Sequence, residues 1–202
     1  VLQNPGVVFS LLLKNTAMLA VFCTIGTLIS SITTAYAFSR LRFPGKDRLF
    51  IILLATMMLP GIVTMIPTYV LFAKLHWINT FLPLIVPTFF GSAWNIFLLK
   101  QFFSGLPMEL DEAARIDGAG HMTILTRVVL PLSGPVLATI GTFTFIGAWR
   151  DFMGPLLYLN DPDKQTLEVG LRLYKTMNED QWHLLMAAAV MVRPNGVRTC
   201  SV

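Results

Sequence analysis

The chain has 202 residues, 54% of them hydrophobic and only 13% charged, with a mean hydropathy of +0.66; an ordinary soluble domain carries about 25% charged residues. That shortage of polar cover excludes a typical water-soluble domain. The net charge of +4 is of the kind membrane proteins collect in their loops, so it does not argue for nucleic acid, and Cys23 and Cys200 make no disulfide or metal framework.

Four uncharged stretches, Asn15 to Ser39, Leu49 to Ala73, Leu75 to Leu99 and Val128 to Trp149, each exceed the roughly 20 residues a helix needs to cross a hydrocarbon core. They predict an all-α, polytopic transmembrane helix bundle. The first span is expected over 15–38. It is rich in small residues (Gly26, Ser30, Ser31, Thr33, Thr34, Ala35), which let helices approach closely in lipid. The following RLRFPGKDR carries Arg40, Arg42, Lys46 and Arg48 around a Pro44-Gly45 turn, a cytoplasmic signal.

The second span is expected over 49–73, with Pro60, Gly61 and Pro67. The third is expected over 81–99, with Pro83, Pro87 and Gly91. Proline removes an amide hydrogen bond and bends a helix. Such spans are either kinked bundle helices or walls of a water-lined path, where neighbours satisfy the freed backbone.

Lys100 to Arg127 is polar but patterned. Pro107 suits a helix start, Glu109, Asp111 and Glu112 suit its early turns, and Gly118 suits its stop. A helix over Pro107 to Asp117 is expected, with Leu106, Leu110, Ala113, Ala114 and Asp117 along one face. At about 16 Å it is too short to span. A second short helix is expected from His121 to Leu130. The fourth span is expected over 132–159, with Arg150-Asp151 late in it. That pair is either self-neutralising at the interface or a polar element facing a solute. Asn160 to Gln181 is polar. A partial fifth span is expected over 182–192, and residues 193–202 (RPNGVRTCSV) form an atypical tail, read as non-native, with Arg193 and Arg198 where a span would need apolar residues. No phosphate loop and no H-E-x-x-H site are present in the sequence.

The segment Glu112 to Pro131 resembles the EAA loop of ABC importer permease subunits, whose pattern is E-A-A, three residues, G, nine residues, I-x-L-P. Glu112, Ala113, Ala114, Gly118, Leu130 and Pro131 match it; Val128 replaces the isoleucine. The flanks RLRFPGK, MLPGIVTMIPTYV, FLLKQFFSGLP and GAWRDFMGPLLYL are similar to the carbohydrate branch of that family, of the maltose permease type. Arg150 departs from it, since a small polar residue is expected there.

The resemblance implies a multi-pass permease in a bacterial or archaeal plasma membrane, with residues 1–192 as an incomplete transmembrane domain lacking the family's first span and most of its last. It implies a pathway shared with a second permease subunit, a separate ATP-binding cassette ATPase that uses the ATP, and an extracytoplasmic solute-binding protein. The chain itself would bind no cofactor and be no enzyme. Glu112, Ala113, Ala114, Asp117, Gly118, Leu130 and Pro131 would form the coupling loop against the ATPase. Thr64, Tyr69, Trp94, Asn95 and Asp151 are candidate pathway residues, chosen as polar or aromatic groups in apolar runs. Alternatives are a permease for an amino acid, polyamine or phosphate, or a non-functional fragment of such a permease. A membrane enzyme lacks a catalytic constellation here, and a channel would need no ATPase dock.

Overall fold

The computed structural model describes residues 5–177. Its spine is α1, a 36-residue helix from Pro5 to Arg40, longer at both ends than the expected 15–38. Hydroxyls on α1 bond back to carbonyls about one turn earlier: Thr16 to Leu12 O at 2.9 Å, Thr24 to Ala20 O at 2.7 Å, Ser30 to Gly26 O at 2.8 Å and Thr33 to Ile29 O at 2.9 Å. A polar side chain satisfied by its own helix can be removed from water at little cost. The small residues then allow close packing. The segment 86–90 crosses α1 at Gly26, where an added Cβ would lie 2.5 Å from Thr88 Oγ1 and 2.8 Å from the Phe89 ring.

The second stretch is two helices, α2 (Lys46–Thr56) and α3 (Gly61–Lys74), bent by 96°. The stretch expected as a span over 49–73, either kinked or interrupted, is interrupted at Pro60. Pro60 is extended at φ −61°, ψ 131° and cannot donate to the preceding turn. With 11 and 14 residues, neither helix reaches the roughly 30 Å of a hydrocarbon core alone. Pro67 lies inside α3 without ending it.

The third stretch runs through α4 (Leu82–Ile85), a 3-10 turn (Val86–Phe90) and α5 (Ala93–Gly105). Together Leu82–Gly105 is long and apolar enough to cross a membrane, as is Phe9–Arg40. It runs past the expected end at residue 99, and the Lys100 ammonium in this extension lies 4.6 Å from the Phe50 ring centroid, a contact that suits a cation at a helix rim. Gly91, at φ 93°, makes the break before α5.

After α6 (Glu109–Ile116), α7 (His121–Ile124), a π-helical turn (Leu125–Val129) and α8 (Leu130–Leu132) form one unit. It bends by 82° into α9 (Gly134–Trp149). The expected span 132–159 is corrected on both sides. Its helical unit starts at His121, with Pro131 and Pro135 flanking the bend, and α9 stops at Trp149. Beyond it lie α10 (Met153–Tyr158), a 3-10 turn (Pro162–Lys164) and α11 (Leu167–Met177). The polar stretch after residue 160 therefore contains a helix. Leu167 and Val169 of α11 are buried, and Gly170 sits on Leu12 of α1. The expected partial span 182–192 and the tail 193–202 lie outside the described residues.

Helices α5 and α9 pack along α1, and α2 leans on α5. The buried cluster lies toward the Arg40 end of α1. It joins Tyr36 and Phe38 to Ile96, Leu99 and Phe103 of α5, Ile124, Leu125 and Val129 of the α7 unit, and Ile140 of α9. α2 buries no residue and α3 buries only Phe72, so this pair presents a broad apolar surface outward.

Candidate coupling site and solute path

The loop after α5 builds the first site. Pro107 interrupts the backbone ladder, and α6 starts two residues later than expected, at Glu109, with Met108 as its N-cap. Glu109, Asp111 and Glu112 occupy the first turn and Arg115 the last, each on the favourable side of the helix dipole. The helix ends where Gly118 takes φ +81°. Ala119 N donates to Ala114 O at 2.9 Å and Gly118 N to Arg115 O at 3.0 Å, the paired bonds of a Schellman stop.

The faces of α6 are unlike. Asp111 is buried, and Ala114 packs on the core cluster. Glu112, Ala113, Asp117 and Gly118 are exposed, and Ile116 is 87% exposed. The two alanines therefore face different ways, and the small-residue face expected from spacing is split. Leu130 is half-buried and Pro131 exposed, at the bend between α8 and α9. A shallow concavity of about 360 Å³ lies beside the helix end, lined by Ala114, Asp117, Gly118, Ala119, Thr123, Arg127 and Val128.

The candidate pathway residues are only partly brought together. Asp151 Oδ1 accepts from Gly154 N at 3.2 Å and so caps α10. α10 carries Tyr158, whose ring lies 6.1 Å from that of Tyr69 in a stacked arrangement, and Phe72 meets Tyr158 edge-on. Asp151 thus lies at the start of α10 and Tyr69 against the residue at its end. Thr64 is exposed on α3, with its hydroxyl returned to Gly61 O. Trp94 and Asn95 lie on α5 just beyond the Gly91 break, Trp94 exposed and tilted against Phe97. Among the described residues Asp151 serves the α10 terminus and makes no ion pair with Arg150, which is exposed.

Sequence reasoning missed two polar groupings. Arg40 and Asp111, at the two ends of the segment that includes α2 to α5, form a buried ion pair with Nε–Oδ2 3.7 Å. At the far end of α1, Asn15 Nδ2 donates to Asp163 O at 2.9 Å and Gln165 O at 3.1 Å. Leu167 N donates to Thr16 Oγ1 at 2.8 Å. An uncharged Asn-Thr pair inside an apolar run was the available signal.

The profile of the family described as "Binding-protein-dependent transport system inner membrane component" matches residues 26–193. The chain belongs to this family. Its members are integral inner-membrane components of transport systems rather than enzymes. A probable ABC transporter permease protein of Pyrococcus horikoshii is 39% identical over 181 residues, 89% of this chain and 66% of that protein. The sn-glycerol-3-phosphate transport system permease protein UgpE of Yersinia pestis is 37% identical over 93% of this chain and 67% of its own length. The trehalose/maltose transport system permease protein MalG of Thermococcus litoralis is 37% identical over 95% and 69%. A crystal structure of a bacterial ABC transporter involved in import of the acidic polysaccharide alginate superposes with a TM-score of 0.80 at 28% identity, over 95% of this chain and 71% of that one. The chain thus spans about two thirds of the length of the curated relatives it matches.

Proposed function

We propose that this chain forms part of the solute path of an ATP-driven importer for a sugar or related carbohydrate, and that α6 is its dock on a separate ATPase subunit. The observation that carries the docking is the shape of α6. It is a short helix, with one face fixed on the core and the other presenting Glu112, Ala113 and Ile116 to the outside. An 8-residue helix cannot enter the bilayer usefully. An exposed face of Ala113 and the apolar Ile116, flanked by a carboxylate, suits a groove with a cation, where Glu112 would accept charge-assisted hydrogen bonds.

The carbohydrate assignment rests on the relatives named above: one carries the name of two disaccharides, one that of a polysaccharide and one that of a polyol phosphate. A second permease subunit would cover the apolar surface of α2 and α3, and an extracytoplasmic binding protein would deliver solute. Asp151, Tyr69, Thr64, Trp94 and Asn95 remain the candidate path residues, with aromatic faces suited to the apolar sides of sugar rings. Coupling would follow from the ATPase moving α6 as a lever and switching the spans between two packed arrangements.

The test is Glu112→Lys in the assembled importer. The expected result is loss of co-purifying ATPase and of uptake of labelled maltose, trehalose or glycerol phosphate, whichever the parent takes up. Membrane insertion should persist because Glu112 lies outside the lipid. Unimpaired co-purification and uptake would remove α6 as the dock. A parent that carries only amino acids, polyamines or phosphate would overturn the carbohydrate assignment alone.

A further inference from the structure

Arg40 is the last residue of α1, and its side chain is 1% exposed; that of Asp111 is 2% exposed. The guanidinium reaches three points on the segment that leads into α6. One amino group donates to Leu106 O at 3.0 Å, the other contacts Met108 Sδ, and Nε lies 3.7 Å from Asp111 Oδ2. These points flank Pro107, where the backbone has no amide to hold the α5–α6 corner. The corner is therefore fixed from outside, by α1.

We propose that the buried Arg40–Asp111 pair is the joint through which movement of α6 passes to α1, which makes Arg40 a positioning residue for the coupling helix. This rests on the reading of α6 as the ATPase dock. A buried ion pair is a poor device for stability alone, because desolvation offsets much of the attraction and an apolar pair of equal size holds as well. It is a good device for fixing one arrangement, because an unpaired partner is costly to leave buried. The contact is ionic but too long for a hydrogen bond, and both Asp111 oxygens lack a hydrogen-bond donor among the described residues. The pair therefore holds through charge, while the contacts to Leu106 O and Met108 Sδ fix the direction of the guanidinium.

The other end of the rod makes the joint consequential. From Arg40 to Asn15, α1 runs unbroken and without proline, over about 38 Å at the helical rise. At that end Asn15 and Thr16 hold the backbone of Asp163, Gln165 and Leu167. A shift entering at Asp111 thus has a stiff path to the segment 163–167 on the opposite side of the bundle.

The test is a spin-label distance in the full-length importer, assembled with its partner subunits in lipid vesicles. Cys23 and Cys200 are replaced by serine, and labels are placed at Ile29 of α1 and Glu109 of α6, both exposed. Distances are read without nucleotide and with a non-hydrolysable ATP analogue. In the parent the distance is expected to be the same in both states, because α1 and α6 move as one body. In Arg40→Lys, which keeps the buried charge balance but cannot reach all three points, the distance is expected to become state-dependent. The neutral pair Arg40→Gln with Asp111→Asn should behave likewise. A parent distance that changes with nucleotide, or an Arg40→Lys distance that does not, overturns the joint. The dock itself is judged separately by Glu112→Lys. If that chain still co-purifies with its ATPase, the reading of α6 fails, whatever the spin labels report.

Discussion

Gly118 and Gly26 are both glycines for a reason visible at one atom, and the reasons differ. At Gly118 nothing lies within 4 Å of an added Cβ, so the constraint is the backbone at φ +81°. A β-carbon there costs about 1 kcal/mol, less for Asn, which tolerates the left-handed region. Gly118→Asp is therefore expected to leave membrane assembly intact and lower coupled uptake, with Gly118→Asn milder; uptake in vesicles measures both. Equal, parental uptake for Gly118→Asp would mean the helix stop is not needed for docking. At Gly26 the constraint is space, since Thr88 and Phe89 occupy it. Gly26→Leu is expected to push the 86–90 turn off α1 and cost about 1–3 kcal/mol, the usual penalty of overpacking. A thermal midpoint in detergent unchanged from the parent would contradict the close approach.

At the scale of elements, periodicity and terminus chemistry located α6 to within two residues. Its acidic first turn and its glycine stop are local physics. The same reasoning left span two open between a kink and an interruption and drew span four as one helix, and both are bent sharply. Hydropathy records how apolar a stretch is, not whether its axis turns. Pro60 and Pro131 signalled a break, but only neighbouring packing decides whether a proline divides a helix; Pro67 lies inside α3 without dividing it. Orientation belongs to this scale. The basic loop after α1 predicts that Arg42 and Ile116, both exposed, face the cytoplasm, and that exposed Asn160 faces outward. With Cys200 replaced by serine and Cys23 buried, single cysteines at Arg42 and Ile116 should resist an impermeant thiol reagent on intact cells, and a cysteine at Asn160 should react. The reverse pattern would invert the topology.

Across the whole molecule, α1 ties two polar regions that lie far apart. Thr16 is the clearest case, since its hydroxyl donates to Leu12 O and accepts from Leu167 N. Thr16→Val keeps the shape and leaves that buried amide unpaired, at about 1–3 kcal/mol. Hydrogen exchange should quicken at the amides of residues 166–170 and stay unchanged in α5. Uniformly faster exchange would indicate general destabilisation, and no change would remove Thr16 as the anchor of α11.

The sequence by itself determined that the chain is helical and membrane-embedded, that a short acidic helix follows the third span, and which family pattern that helix carries. Each of these depends on residues within a turn or two of one another, or on the mean polarity of a run. Only the tertiary structure decided that Arg40 meets Asp111, that Asn15 and Thr16 hold the segment 163–167, that Asp151 caps α10 instead of pairing with Arg150, and that Ala113 and Ala114 face opposite surroundings. These depend on how bent helices stack, and in lipid that stacking is set by steric fit between distant segments rather than by any local preference.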